Sequence, residues 1–260
     1  MVSRGEQVSP SRRRSVRSEP EDGQPPGRGT GWEDRAEAWI GWARTPDFDS
    51  YWQFRDAFFE EVMPPPGGAT LEVGCGEGRV ARDLRDRGHK VTAIDASPSL
   101  IAAASAADPL STYVVARAED LPFADSTFDC TVAYNSLMDV DDMPAALLEL
   151  ARVLVPGGRL AVSVTHPFND AGSFSGMEEE APFVITGTYF GRREFHFHAS
   201  RDGREMDFDG FACDLESYSR ALEAAGLLLE LIREPRPASG ARHQCRIPNF
   251  LTWRALKPIV

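Results

Sequence analysis

The sequence predicts an α/β fold in which a mostly parallel sheet carries helices on both faces. One basis is the stretch TLEVGCGEGRVARDL at 70–84, in which a glycine turn separates an apolar run from a helical pattern. The other is the alternation of short apolar runs with amphipathic segments that continues after it. Such repetition is typical of parallel sheets covered by helices. In these sheets, ligands bind at the carboxyl ends of the strands.

Seven apolar runs are predicted as the strands of this sheet. In chain order they are TLEV, KVTAID, TYVVAR, FDCTVAYN, GRLAVSVTH, LLLELIRE and FLTWRAL. Four helical patterns lie between them: residues 79–87, SPSLIAAASAA, MPAALLELARVL and DLESYSRALEAAG. In the last of these, Asp214 is a suitable N-cap and Gly226 a suitable end.

The segment at 31–66 precedes the sheet and is predicted to form two amphipathic helices. Its apolar residues recur at helical spacing and include Trp32, Trp39, Tyr51, Phe54 and Phe58. These aromatics either line a ligand pocket or belong to the core, and the spacing alone is compatible with both.

Residues 1–30 are rich in Pro, Gly, Ser and charge, with almost nothing to bury, so we predict a disordered tail. The remainder, 31–260, is predicted to be one domain.

The segment 168–211 interrupts the α/β alternation and is predicted to form an inserted β-rich cap. Its strands are FVITGTYF, EFHFHAS and REMDF, and RDG at 201–203 is a hairpin signal. A cap at this place in the fold is either a mobile lid over a ligand or a rigid extension that packs against a second copy to form a homodimer.

Composition narrows the classes of partner. The 260 residues carry a formal charge of −12, which disfavours a nucleic-acid partner. The sequence has no apolar run long enough to cross a membrane, so we expect no membrane partner. Its four cysteines form no metal-ligand or disulfide pattern, which favours a cytoplasmic location and predicts no metal.

The glycine turn indicates a nucleotide-like ligand. Gly74, Gly76 and Gly78 remove three side chains just before a helix N-terminus, so the main chain can approach a ligand closely. The dinucleotide fingerprint needs a glycine at 79, where this chain has Arg79, which disfavours a nicotinamide-dependent oxidoreductase.

Asp95 is the strongest candidate for a side-chain ligand. It ends the second strand 19 positions after Gly76, close to the offset at which a carboxylate reaches ribose hydroxyls. The alternative is that it only caps the following helix.

Four motifs, taken in order, resemble those of the class I S-adenosylmethionine-dependent methyltransferases. They are the glycine turn, the acidic end of the next strand, EDLPFADSTFD and ARVLVPGGRL. The resemblance covers roughly residues 45–255 and is to the small-molecule subgroup similar to quinone-biosynthesis methyltransferases. It implies a Rossmann-like sheet of seven strands with the last strand antiparallel, and S-adenosylmethionine as the cofactor.

The resemblance also implies a set of cofactor-binding residues. They are Glu72, Gly74, Cys75, Gly76, Gly78, Asp95, Ala96, Ala118, Glu119, Asn135 and Ser136. One position departs from the family, because Arg117 stands where an aspartate usually holds the adenine amino group. Glu119 or Asp120 could supply a substitute carboxylate, or the backbone could bind the adenine edge, or Arg117 could simply point to solvent.

Methyl transfer from a sulfonium is an in-line displacement that needs mainly positioning and a dry pocket. His166, just after the fifth strand, is a candidate general base, although a structural histidine is an equally good interpretation. His196 and His198 lack a third ligand for a metal. The expected partner is a small-molecule acceptor with an O- or N-nucleophile and a ring, and the alternative function is a non-catalytic, cofactor-binding regulator.

Overall fold

A computed structural model describes residues 14–15, 31–237 and 245–259 of the chain. The predicted tail lies outside the described residues except for Arg14–Ser15. The backbone of this pair forms β1 and is antiparallel to residues 196–197.

The central sheet has the seven predicted strands. They are β2 Ala69–Val73, β3 Lys90–Asp95, β4 Thr112–Val115, β5 Phe128–Tyr134, β6 Leu154–Thr165, β11 Leu228–Arg233 and β12 Phe250–Leu256. Their order is β11-β12-β6-β5-β2-β3-β4, and only β12 runs antiparallel to its neighbours. The predicted fold class, including the antiparallel last strand, is confirmed.

Helices cover both faces of this sheet. They are α1 Gly31–Asp34, α2 Ala36–Ala43, α3 Tyr51–Ala57, α4 Arg79–Asp86, α5 Pro98–Ala107, α6 Met143–Val153, α7 Pro167–Asp170 and α8 Leu215–Ala224. Side-chain caps begin four of them: Ser97, Asp142, His166 and Asp214 accept main-chain N–H groups at 3.2, 3.0, 3.1 and 2.7 Å. Two apolar clusters fill the space between helices and sheet, one under α6 and α8 and one under α3 and α4.

The two helices expected before the sheet are subdivided. The first breaks at Arg35, whose side chain forms an ion pair with Asp209 of the cap. The second ends in a π-helical turn, Phe58–Val62, before the prolines that follow.

The inserted segment contains four strands, β7 Gly172–Phe174, β8 Phe183–Ile185, β9 Arg193–Arg201 and β10 Arg204–Ala212. Asp202 and Gly203 make the tight turn between β9 and β10 with φ of +50° and +75°, as the Asp-Gly signal predicts. The run FVITGTYF is a strand only over β8, because Gly187 and Gly191 turn the chain with positive φ.

The β9–β10 hairpin is attached at both sides of the site. Phe208 packs edge-on against Trp32, Trp39 and Trp42 of the first helices. On the other side, the main-chain N–H of Phe211 donates to the carbonyl of Met138 at 2.7 Å. The hairpin therefore covers the carboxyl end of the sheet.

Candidate active site

A cavity of about 1000 Å³ lies at the carboxyl ends of β2, β3 and β5, under the β9–β10 hairpin. Ten of the eleven predicted cofactor-binding residues line it: Glu72, Gly74, Cys75, Gly76, Asp95, Ala96, Ala118, Glu119, Asn135 and Ser136. Gly78 is not part of the lining. Segments distant in sequence thus converge on one space, as expected for a parallel sheet.

The three glycines of the turn all have positive φ, at +70°, +56° and +85°. A Cβ at Gly74 would overlap the side chain of Ser136, and one at Gly78 would lie 2.9 Å from the Cβ of Ala104. At Gly76, it would lie 2.9 Å from Nε1 of Trp39. The turn needs glycine for its conformation and also for its close packing.

Asp95 holds the glycine turn in place. Its Oδ2 accepts the N–H of Gly76 at 2.8 Å, and its Oδ1 accepts the N–H of Ser97 at 2.9 Å. Burial raises the pKa of this carboxyl, and main-chain hydrogen bonds from Ser97, Gly76 and Ala96 oppose that shift. A carboxylate has about four lone-pair sites, so Asp95 can still accept a hydrogen bond from a ribose hydroxyl. Both interpretations of Asp95 are therefore compatible with the geometry.

Glu72 is buried against the cavity without a full set of partners. It is only 2% exposed, and its Oε2 has no hydrogen-bond partner within the described ranges. Burial, with Asp95 nearby, raises its pKa to about 8. An unpaired buried carboxyl of this kind fits the ammonium group of a bound S-adenosylmethionine.

Three other predicted residues form hydrogen bonds with neighbouring strands. Cys75 is buried and its N–H bonds to the carbonyl of Ile94 at 2.9 Å, while burial raises the pKa of its thiol. A thiol that stays neutral is a poor nucleophile, so Cys75 acts as a small packing residue. Ser136 donates its hydroxyl to the carbonyl of Val73 at 2.7 Å, and Asn135 accepts one from Ser163 at 2.7 Å.

Arg117, which stands where the family usually has an aspartate, forms ion pairs with two carboxylates. Arg117 bonds Glu119 at 3.0 Å and Asp141 at 2.8 Å. Glu119 also accepts the main-chain N–H groups of Asp141 and Asp142 at 3.1 and 3.3 Å. The three bonds to Glu119 all use its Oε1, so its Oε2 remains for an adenine amino group. The adenine contact itself stays a prediction.

His166 does not line the cavity. It is 6% exposed, its Nδ1 accepts the N–H of Phe168 at 3.1 Å, and its Nε2 lies 3.0 Å from Oε1 of Glu234. Nδ1 is therefore the acceptor and Nε2 carries the proton. Burial lowers the pKa of His166. This geometry favours the structural interpretation over the general base.

Several residues of the cavity wall were not predicted from the sequence. Asp139 contributes a carboxylate, and Arg79 lies with its guanidinium 4.3 Å from the ring centre of Tyr51 and 2.6 Å from Asp49. The acidic run MDVDD was the signal for Asp139, but a loop gives no periodicity to orient a side chain.

Comparisons with known proteins find methyltransferases. Residues 71–162 match a family described as "Methyltransferase domain". The O-methyltransferase resE of Aspergillus sclerotiorum is 43% identical over 105 residues, 37% of this chain and 39% of the relative. A demethylmenaquinone methyltransferase of Beutenbergia cavernae is 35% identical over 115 residues, 44% of this chain and 47% of the relative. This chain thus spans half or less of the length of both relatives.

A solved S-adenosylmethionine-dependent methyltransferase from Mesorhizobium loti has the same fold. Its TM-score is 0.64 at 23% identity, over 81% of this chain and 99% of that one. The predicted resemblance to class I S-adenosylmethionine-dependent methyltransferases is confirmed, and S-adenosylmethionine is the cofactor of that class.

Two expected absences can be compared with the described part of the chain. In it, no helix has the length and apolar character to cross a bilayer. Across the same residues, no three His, Cys, Asp or Glu side chains are grouped as metal ligands.

Proposed function

We propose that this protein transfers the methyl group of S-adenosylmethionine to a small-molecule acceptor with an oxygen or nitrogen nucleophile. The observation that carries the proposal is the convergence in one cavity of the glycine turn, the buried Asp95 and the unpaired Glu72. The main chain of the glycine turn suits the amino-acid part of the cofactor, Asp95 suits its ribose, and Glu72 suits its ammonium group.

Each group has a defined task in this scheme. When bound, S-adenosylmethionine supplies an electrophilic methyl group. Glu72 accepts hydrogen bonds from the ammonium, and Asp95 accepts them from the ribose hydroxyls. The hairpin and the first helices exclude water, which strengthens the electrostatic interactions inside. Catalysis then rests on holding the nucleophile in line with the carbon–sulfur bond.

The cavity wall favours an acceptor with a ring. Its aromatic members are Trp32, Trp39, Trp42, Phe48, Trp52, Phe54, Tyr134, Phe195, Phe197, Phe208 and Phe250. Residues 31–260 hold 22 basic and 36 acidic side chains, so the field suits a neutral or cationic acceptor better than a polyanion. This is also why we propose that nucleic acid is not a substrate. The buried Cys75, Cys130 and Cys213 form no disulfide in the described part of the chain, which supports action in the cytoplasm.

The test is turnover with S-adenosylmethionine labelled in the methyl group, against a panel of phenols, amines and carboxylic acids. We expect label in at least one ring-bearing acceptor, matched by S-adenosylhomocysteine, and a much lower rate with the Asp95→Ala variant when the cofactor is sub-saturating. Tight S-adenosylhomocysteine binding without transfer to any acceptor of the panel would instead favour a regulatory protein.

A further inference from the structure

The side chain of Asp139 is part of the cavity wall and has no role in the scheme above. It follows β5 in the loop that carries Ser136, and its main-chain N–H bonds to the Ser136 carbonyl at 2.9 Å. Among residues 14–15, 31–237 and 245–259, its side chain makes no hydrogen bond and no ion pair. It thus differs from Asp95 and Asp49, whose oxygens are engaged.

The surroundings of Asp139 are apolar and close. Strand β10 approaches it through Gly210, where a Cβ would stand 3.0 Å from Oδ1 of Asp139 and 2.9 Å from the ring of Phe195. The carbonyl oxygen of Met138 would lie 2.8 Å from the same Cβ, and Met138, Phe195 and Phe208 all line the cavity. A glycine here lets the hairpin approach the carboxylate closely, while the side chain of Asp139 stays half-buried.

The charges that face Asp139 leave it uncompensated. Burial raises the pKa of Asp139 well above its ordinary value, and the carboxylates of Asp95 and Asp209 act in the same direction. Arg35 opposes them, but its guanidinium is already paired with Asp209. The carboxylate of Asp139 is half-buried and opens into the cavity, so a ligand that fills the cavity and offers a donor would stabilise it.

We propose that Asp139 contacts the acceptor directly, accepting the hydrogen bond of its nucleophilic O–H or N–H and then its proton. This inference rests on the proposed function. As the acceptor atom bonds to the methyl carbon, the carbon–sulfur bond breaks and its electron pair goes to sulfur. The proton released by the acceptor passes to Asp139, so S-adenosylhomocysteine, the methylated acceptor and a neutral Asp139 result.

The first test is thermal stability. Asp139→Asn removes the uncompensated charge and keeps the shape, so at pH 7.5 we expect its Tm to rise by a few degrees, with the increase shrinking toward pH 5 as the wild-type carboxyl is protonated. The control is Asp207→Asn on β10, outside the cavity, where the carboxylate has a partner in His198 at 2.8 Å. This variant should show no such increase.

The second test is binding to protein saturated with S-adenosylhomocysteine, observed by saturation-transfer NMR. The probes are 2-naphthol, 2-(aminomethyl)naphthalene and 2-methoxynaphthalene, which share a ring system and differ in their donor group. Wild type should bind the first or the second several-fold more strongly than the methyl ether, and which of the two is preferred tells hydroxyl from amine acceptors. Asp139→Ala should abolish the preference.

A lower Tm for Asp139→Asn, or equal binding of the methyl ether in wild type, would overturn the assignment. The same holds if none of the three probes binds. Each sample is first titrated with S-adenosylhomocysteine, because failure at that step contradicts the proposed function and not the role of Asp139.

Discussion

The main-chain N–H of Gly76 donates a 2.8 Å hydrogen bond to Oδ2 of Asp95. This bond joins the end of β3 to the glycine turn after β2, so the carboxylate expected to bind ribose also sets the shape of the turn. Preparation of the turn before the ligand arrives lowers the ordering cost of binding.

Replacing Asp95 with Ala should weaken S-adenosylhomocysteine binding by at least about tenfold, since a hydrogen bond to a charged group is worth about 1.5 to 3 kcal/mol. Calorimetry measures this directly. The control is Asp108→Ala, at a fully buried carboxylate away from the cavity that binds Arg85 and Ser111. Asp108→Ala should lower Tm and leave the dissociation constant unchanged. Equal affinity of folded Asp95→Ala and wild type would refute the ribose assignment.

Gly74→Ala should be far more damaging than Gly187→Ala. Both positions have similar φ, +70° and +79°, so both variants incur about 1 to 2 kcal/mol of left-handed strain. Only at Gly74 does the added Cβ overlap Ser136, because nothing lies within 4 Å of the corresponding atom at Gly187. We expect a larger loss of Tm and of cofactor affinity for Gly74→Ala. Similar behaviour of the two variants would mean that close packing of the turn is unimportant.

Binding of S-adenosylhomocysteine should release protons near pH 7. With a pKa of about 8, Glu72 is mostly protonated there, and an ammonium beside it lowers that pKa and expels the proton. Calorimetry in buffers of different ionisation enthalpy should show a release of up to one proton, which Glu72→Gln removes. No difference between the proteins would contradict the ammonium contact.

The same raised pKa makes the unliganded fold sensitive to pH. A carboxyl with a folded pKa above its unfolded value stabilises the fold fully below the unfolded pKa of 4.5, and this contribution is lost as pH rises through about 8. Wild type should therefore lose more stability between pH 5 and 8 than Glu72→Gln in denaturant titrations. An identical pH dependence would show that Glu72 titrates normally.

Hydrogen exchange should divide the cap into two parts. The β9–β10 ladder and its attachments to Trp42 and Met138 predict slow exchange there. Residues 175–191, with β8 as their only strand and bends at Gly187 and Gly191, should exchange quickly and slow when S-adenosylhomocysteine and an acceptor bind. Protection that follows protein concentration and ignores ligand would indicate a dimer contact in place of a lid.

The sheet was predictable because its central strands are largely buried and read as apolar runs, such as FDCTVAYN for β5. The caps at Ser97, Asp142 and Asp214 also follow from local chemistry. The break at Arg35 was not predictable, because it coincides with an ion pair to Asp209, 174 positions away.

The site shows the same division. Gly74 and Asp95 follow from motif spacing, since the strand ends of a parallel sheet must meet. His166 was selected for titrating near neutrality, but the bonds that occupy its ring come from Phe168 and Glu234, and the sequence does not show the latter contact. Asp139 escaped notice because its isolation depends on the distant Gly210.

Calorimetric titration with S-adenosylhomocysteine and, in parallel, with NAD tests the central claim most directly. The account predicts a saturable one-site isotherm for S-adenosylhomocysteine and no heat beyond dilution for NAD, because Arg79 replaces the third glycine of the dinucleotide turn. Saturable binding of NAD with no response to S-adenosylhomocysteine would contradict it.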